Sequence, residues 1–113
     1  MKDPRLYIIH IRDCIERVEQ YTIDGKDNFY TDLKTQDAVI RNLETLADAT
    51  QQLPDDWKTT RPEVDWRRIA GFRNVLAHQY FEINLNIVWD IIENKLPELK
   101  QAIEAIAQEF WNR

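Results

Sequence analysis

The sequence predicts an all-α protein, an up-down bundle of four to five helices in a single domain spanning residues 1–113. Three observations carry this. Apolar residues recur at spacings of three and four through most of the chain, the period of an amphipathic helix. Only two Gly and four Pro occur in 113 residues, too few for the many tight turns of an all-β fold. Hydrophobic residues make up 43% and charged residues 31%, a balance that folds around a core, and the length suits one domain.

The first helix begins at Asp3-Pro4, with Asp as N-cap and Pro at the first helical position. Ile8, Ile11, Ile15, Val18 and Thr22 follow at helical spacing, which carries it to about Tyr21. Asp24-Gly25-Lys26 is the break. A second stripe (Phe29, Leu33, Gln36, Ile40, Leu43, Ala47) is widened by Val39, Leu46 and Leu53 and predicts a helix to Leu53-Pro54. Its first turns, Phe29 to Asp32, fit a separate short helix, with Asp32 capping the next. Pro54 to Pro62 reads as loop. Asp65 is a plausible N-cap for a third helix, with Trp66, Ile69, Phe72 and Leu76 on one stripe. Tyr80 to Asn84 reads as a link, and Asn84 caps the next helix. Leu85, Val88, Ile92, Leu96, Leu99, Ile103, Ile106 and Phe110 form the longest stripe; Pro97 interrupts it and predicts a kink or a fresh helix start. Wide stripes, with Trp57, Trp66, Trp89 and Trp111 partly off them, suggest surplus apolar surface and a homodimer.

Several function classes fall away. No run of eighteen apolar residues exists, so no membrane helix is expected, and the charged opening MKDPRLYIIHIRDC does not resemble a secretory signal. Cys14 is the single cysteine and has no internal disulfide partner; it reads as a small buried hydrophobe, and His10 as a structural histidine. No Cys/His cluster suggests zinc. No metal or cofactor is expected, and a reducing cytoplasm is the expected location.

The formal charge is −5, unevenly spread. Lys58, Arg61, Arg67, Arg68 and Arg73 stand against only Glu63 and Asp65 between residues 58 and 78, while both flanks are acidic. A domain-wide nucleic-acid footprint is therefore absent, but a local anion site is possible. Lys58, Arg61, Arg67 and Arg68 are its candidate RNA-binding side chains.

Chemistry concentrates in Arg73-Asn74-Val75-Leu76-Ala77-His78-Gln79-Tyr80. On a helix Asn74 and His78 stack at i,i+4, while Arg73, Ala77 and Tyr80 share the adjacent stripe. Arg73 and His78 stand about 140° apart on an ideal helix, so they converge only if the helix loosens or Arg73 curls round. Around a phosphate, Arg supplies a bidentate permanent cation and His a proton near neutral pH. No acidic pair stands beside them to hold Mg²⁺, so phosphodiester cleavage here is expected to be metal-independent. Periodicity alone reads the same residues as a helix end with boundary side chains.

The segment PEVDWRRIAGFRNVLAHQYF closely resembles the HepT-like branch of the HEPN superfamily, which carries R-N-x-x-x-H-x-Y after W-R-x-x-x-G-x. The opening DPRLYIIHIRDCIERVEQY, the run QDAVIRNLETL and the ending INLNIVWDIIENKLPELKQAI resemble it too. One departure is in the second helix, where Ala47 and Asp48 stand in place of the branch's Gly and Glu. The resemblance implies a homodimeric helical bundle acting as a metal-independent endoribonuclease toxin of a prokaryotic toxin–antitoxin pair. It implies Arg73 and His78 as catalytic, Asn74 as site support, and Tyr80 as the tyrosine that a minimal nucleotidyltransferase antitoxin silences with AMP. Two other readings use the same residues: a non-catalytic helical subunit paired with a nucleotidyltransferase, and a structural dimer with an interhelical polar clamp.

Overall fold

A computed structural model describes residues 3–78 and 84–111; at Arg73, Ala77 and His78 it is the place on the helix that is described. Helix α1 spans Pro4–Tyr21, and Asp3 caps it by accepting a hydrogen bond from the Arg5 N–H at 3.0 Å. Pro at the start lacks an N–H that would have no helical partner there. Ile8, Ile11, Cys14, Ile15 and Val18 are buried, the stripe its spacing predicts.

The chain turns through Thr22–Asp24 and restarts as α2 (Gly25–Thr31), four residues before the expected start at Phe29. Gly25 has φ +91°, a left-handed conformation that L side chains rarely adopt, and its N–H donates to the Thr22 carbonyl at 2.9 Å. This sharp reversal lets a new helix begin at once. Asp32 then breaks the helix with extended dihedrals (φ −109°, ψ 104°). Its carboxylate accepts from the Lys34 N–H at 3.3 Å and the Thr35 hydroxyl at 2.7 Å, starting α3 (Leu33–Gln51). Gln36 Nε2 donates back to the Phe29 carbonyl at 2.9 Å, so a group freed by the break is satisfied. The short first helix and the fresh Asp32 cap are both present.

The Pro54–Pro62 segment is not all loop. Asp55–Lys58 forms a single turn, α4, with two acids at its start and Lys58 at its end, each placed favourably in the helix dipole. The expected third helix is two: α5 (Trp66–Ala70), capped by Asp65 as predicted, and α6 (Phe72–His78). They meet at Gly71, whose ψ of −10° departs from helical values and bends the path. Asn84 caps α7 (Leu85–Asp90) by accepting from the Asn86 N–H at 3.0 Å.

Of the two outcomes expected at Pro97, the fresh helix start is the one that occurs. A wide π-type turn, Ile91–Lys95, joins α7 to α8 (Leu96–Trp111), and the Leu96 N–H reaches back five residues to the Ile91 carbonyl. Pro97 sits in the first turn of α8, where the wider register accommodates its missing donor and its ring.

Helices α1 and α3 share the most extensive packing, α8 lies along α1, and α5 and α6 lie against α3. One apolar cluster runs through all of them, from Ile8 and Val18 to Leu43, Phe72 and Ile106. Two ion pairs fix α8 antiparallel to α1: Arg12 holds Glu104 through two bonds of 2.7 and 2.6 Å, and Lys100 Nζ reaches Glu19 at 2.9 Å. Among the described residues no helix is long and apolar enough to cross a membrane.

Each of the four tryptophans packs on this chain's own core while staying part-exposed. Trp57 stacks on Phe110 at 5.1 Å, Trp89 leans on Phe29 at 5.5 Å, and Arg5 covers Trp111 at 5.9 Å. Trp66 Nε1 donates to two carbonyls, those of Lys58 and Arg61, each at 3.1 Å.

Cys14 is fully buried and burial pushes its thiol up from the ordinary range. The unfolded thiol therefore ionises first, and stability falls as pH rises past the ordinary thiol range. Ellman's reagent at pH 8 should leave Cys14 untouched in the native protein and titrate one thiol in denaturant; rapid native labelling would place the sulfur at the surface.

Candidate functional site

Helix α6 presents the motif, and its register follows from its two core anchors. Phe72 and Leu76, four residues apart, are both buried, while Asn74 and Val75 are exposed. Asn74 lies opposite the anchors, and His78 occupies the position four residues further along. Arg73 is the second residue of the helix, next to Phe72. From Arg73 to His78 is five residues, about 7.5 Å along the axis and about 140° round it. Arg73, Asn74 and His78 thus share a two-turn helix whose inner face is fixed to α3. Tyr80 lies outside the described residues, as does the Tyr80-to-Asn84 link up to Asn84.

The basic segment divides in two. Lys58 is mostly covered: its Nζ donates to the Thr50 carbonyl at 3.3 Å and lies 3.8 Å from Asp55. Arg61 lies 3.9 Å from Glu109, and its Nε is buried without a hydrogen-bond partner. The Trp66 indole ties the backbone carbonyls of both residues to α5. Lys58 thus ties α4 to the end of α3, and Arg61 ties the α4–α5 connection to α8. Arg67 and Arg68, by contrast, are exposed on α5, one turn before the motif. The Arg68 side chain is left available because Asp65 engages its backbone N–H, at 3.0 Å.

Behind Arg68, between the α5–α6 corner and the α7–π turn, lies a cleft of about 80 Å³ lined by Phe72, Val75, Ile87, Ile91 and the charged Arg68, Asp90 and Lys95. Lys95 escapes a reading of the sequence because it follows an apolar stripe as one more polar residue. The signal is its spacing: Ile87, Ile91 and Lys95 are four apart, one side of a helix. Among the described residues no group of three or more His, Cys, Asp or Glu side chains could hold a metal.

Residues 11–106 match the family described as ribonuclease HepT-like, and the chain belongs to that family. A Methanocaldococcus jannaschii protein named "Gamma-glutamylcyclotransferase and putative RNase MJ0434" is 35% identical over 96% of this chain, which spans 50% of that longer protein. The "mRNA nuclease HepT" of Shewanella oneidensis is 31% identical over 90% of this chain and 94% of its own. Among solved structures, a tri-AMPylated Shewanella oneidensis HEPN toxin in complex with MNT antitoxin superposes with a TM-score of 0.69. That pair is 28% identical, covering 94% of this chain and 98% of the other. The all-α HEPN toxin fold is therefore the fold of this chain.

The division of the basic segment predicts opposite responses. Trp66→Phe removes the donor to two carbonyls and should cost about 1–3 kcal/mol of stability. Arg67→Gln and Arg68→Gln should stay within about 0.5 kcal/mol of wild type. Thermal denaturation of the three variants checks this; an equal loss in all would place Arg67 and Arg68 in the packing.

Proposed function

We infer that this chain is a metal-independent endoribonuclease, the toxin of a prokaryotic toxin–antitoxin pair, silenced by AMP transfer to Tyr80 from a minimal nucleotidyltransferase. The observation that carries the reading is the coincidence of the motif Arg73-Asn74…His78-Gln79-Tyr80, whose Arg73–His78 part lies on α6 with Asn74 exposed, with membership of the ribonuclease HepT-like family. The likeness to an AMPylated HEPN toxin bound by its antitoxin supports the mode of control. Cytoplasmic RNA is the proposed target.

RNA carries its own nucleophile. A base takes the 2′-hydroxyl proton, the 2′-oxygen bonds to the adjacent phosphorus, and the bond from phosphorus to the 5′-oxygen breaks. An acid returns a proton to that leaving oxygen, giving a cyclic phosphate and a free 5′-hydroxyl. Two proton carriers are required, and the motif holds one histidine. A two-fold homodimer supplies the second: His78 of one copy neutral as base, His78 of the other protonated as acid. The two Arg73 guanidinium groups stabilise charge building on the phosphate oxygens, and Asn74, on the His78 face, supports the site. Arg67 and Arg68 contribute to guiding the strand to α6, with Lys58 and Arg61 setting the position of α5.

Silencing follows from charge and bulk. The Tyr80 hydroxyl attacks the α-phosphorus of ATP and pyrophosphate leaves. The attached AMP then places a phosphate and an adenosine beside the cationic motif, occupying Arg73 and excluding RNA.

His78→Ala should abolish cleavage of RNA by the purified protein while leaving the melting temperature close to wild type. Cleavage that survives removes the imidazole from the chemistry, and a collapse in melting temperature makes it a structural clamp. Tyr80→Phe should cut RNA as wild type does yet gain no mass on incubation with the nucleotidyltransferase and ATP. An AMP adduct that persists on this variant would move the modification to another residue.

A further inference from the structure

The cleft between the α5–α6 corner and the π turn has a composition unlike the surface around it. Its floor is apolar, made by Phe72, Val75, Ile87 and Ile91, of which Val75 and Ile87 remain about two-fifths exposed. Two cations stand at its rim from opposite sides, Arg68 from α5 and Lys95 from the end of the π turn. Neither makes an ion pair with any described residue, whereas Arg5, Arg12, Lys58, Arg61 and Lys100 all do. The carboxylate in the cleft, Asp90, accepts a hydrogen bond from Asn94 Nδ2 at 2.7 Å. Arg68 and Lys95 also line an adjoining hollow with Glu63, Asp65 and Glu98, of which Asp65 is engaged in capping α5.

In this cleft Arg68 and Lys95 meet one carboxylate, Asp90, and with no ion pair to a described residue holding either of them both are available to an added anion. The wide π turn contributes by carrying Lys95, four residues past Ile91, onto the wall that faces Arg68. Val75 belongs to the motif helix, so an occupant of the cleft lies directly alongside α6.

We propose that Arg68 and Lys95 form a nucleotide subsite for RNA: they hold one backbone phosphate next to the scissile linkage, while its sugar or base edge rests on Val75 and Ile87. The subsite rests on the ribonuclease reading above, and it makes Lys95 a substrate-positioning residue. Arg68 supplies a planar fork to the phosphate and Lys95 a point charge. Asp90 weakens the site by opposing the same phosphate, which sets the sign of a test that a purely structural role would not reproduce.

The test uses the full-length protein and a labelled single-stranded RNA carrying 2′-O-methyl groups, which lacks the free 2′-hydroxyl and stays intact. Fluorescence anisotropy across a salt series gives affinity and salt slope. Lys95→Gln and Arg68→Gln should each weaken binding by about threefold to tenfold and reduce the slope of log K against log salt by about 0.7. Asp90→Asn should tighten binding by a similar factor. Melting temperatures near wild type exclude unfolding, and Ile87→Glu, which puts a carboxylate over the floor, provides a second route to the same loss. Wild-type affinity and slope in both cation variants, or weakened binding in Asp90→Asn, would overturn the subsite and leave the His78 result untouched. Loss of the ribonuclease reading would appear separately, as unmodified RNA surviving the wild-type enzyme.

Discussion

Helix α3 has to be apolar on more than one side, because α1 lies along it and α5 and α6 lie against it too. Val39, Ile40, Leu43, Leu46, Ala47, Ala49 and Thr50 are all buried, a band far wider than a surface helix carries. Small residues within that band let neighbouring helices approach closely. The same demand fixes α6, since Phe72 and Leu76 must turn inward and every other position on that two-turn helix is then assigned a direction. The place of the motif is thus a consequence of core packing: remove the anchors and Asn74 no longer has a defined outward face.

Two interruptions shape what surrounds the motif. Gly71 bends the α5–α6 path, and a Cβ there would come within 3.3 Å of the Arg68 carbonyl, so the corner is made where a side chain would crowd it. The π turn before Pro97 widens the opposite wall. Each leaves a short helix with few internal hydrogen bonds of its own, held by tertiary contacts. Trp66 supplies one such contact by bonding the carbonyls of Lys58 and Arg61, which secures α5 from its N-terminal side. Trp89 and Phe29 do the equivalent between α7 and α2, helped by the hydrogen bond from the Tyr30 hydroxyl to Asn86.

Charge is apportioned by the same geometry. Lys58 and Arg61 belong to the basic segment by sequence, but their heads are drawn toward Asp55, the Thr50 carbonyl and Glu109. Arg67 and Arg68 keep theirs in solvent because α5 buries Ile69 and leaves their side of the helix outward. The basic segment, contiguous in sequence, is thus split between cations engaged in packing and cations left in solvent beside α6.

Local chemistry made much of this legible in the residues alone. Asp3-Pro4, Asp32, Asp65 and Asn84 cap helices where their side chains can reach a freed N–H two or three residues on, a decision taken within one turn. The spacing of Ile8, Ile11, Ile15 and Val18 dictated a buried face for α1 in the same local way. The motif octapeptide and its family likeness were readable too. Tertiary structure alone decided that Gly25 starts a helix, that α5 and α6 part at Gly71, that Pro97 is met by a π turn, and that Lys95 faces Arg68. Those outcomes balance backbone strain in one segment against burial gained by another, and residues far apart in sequence enter that balance only when the helices are packed.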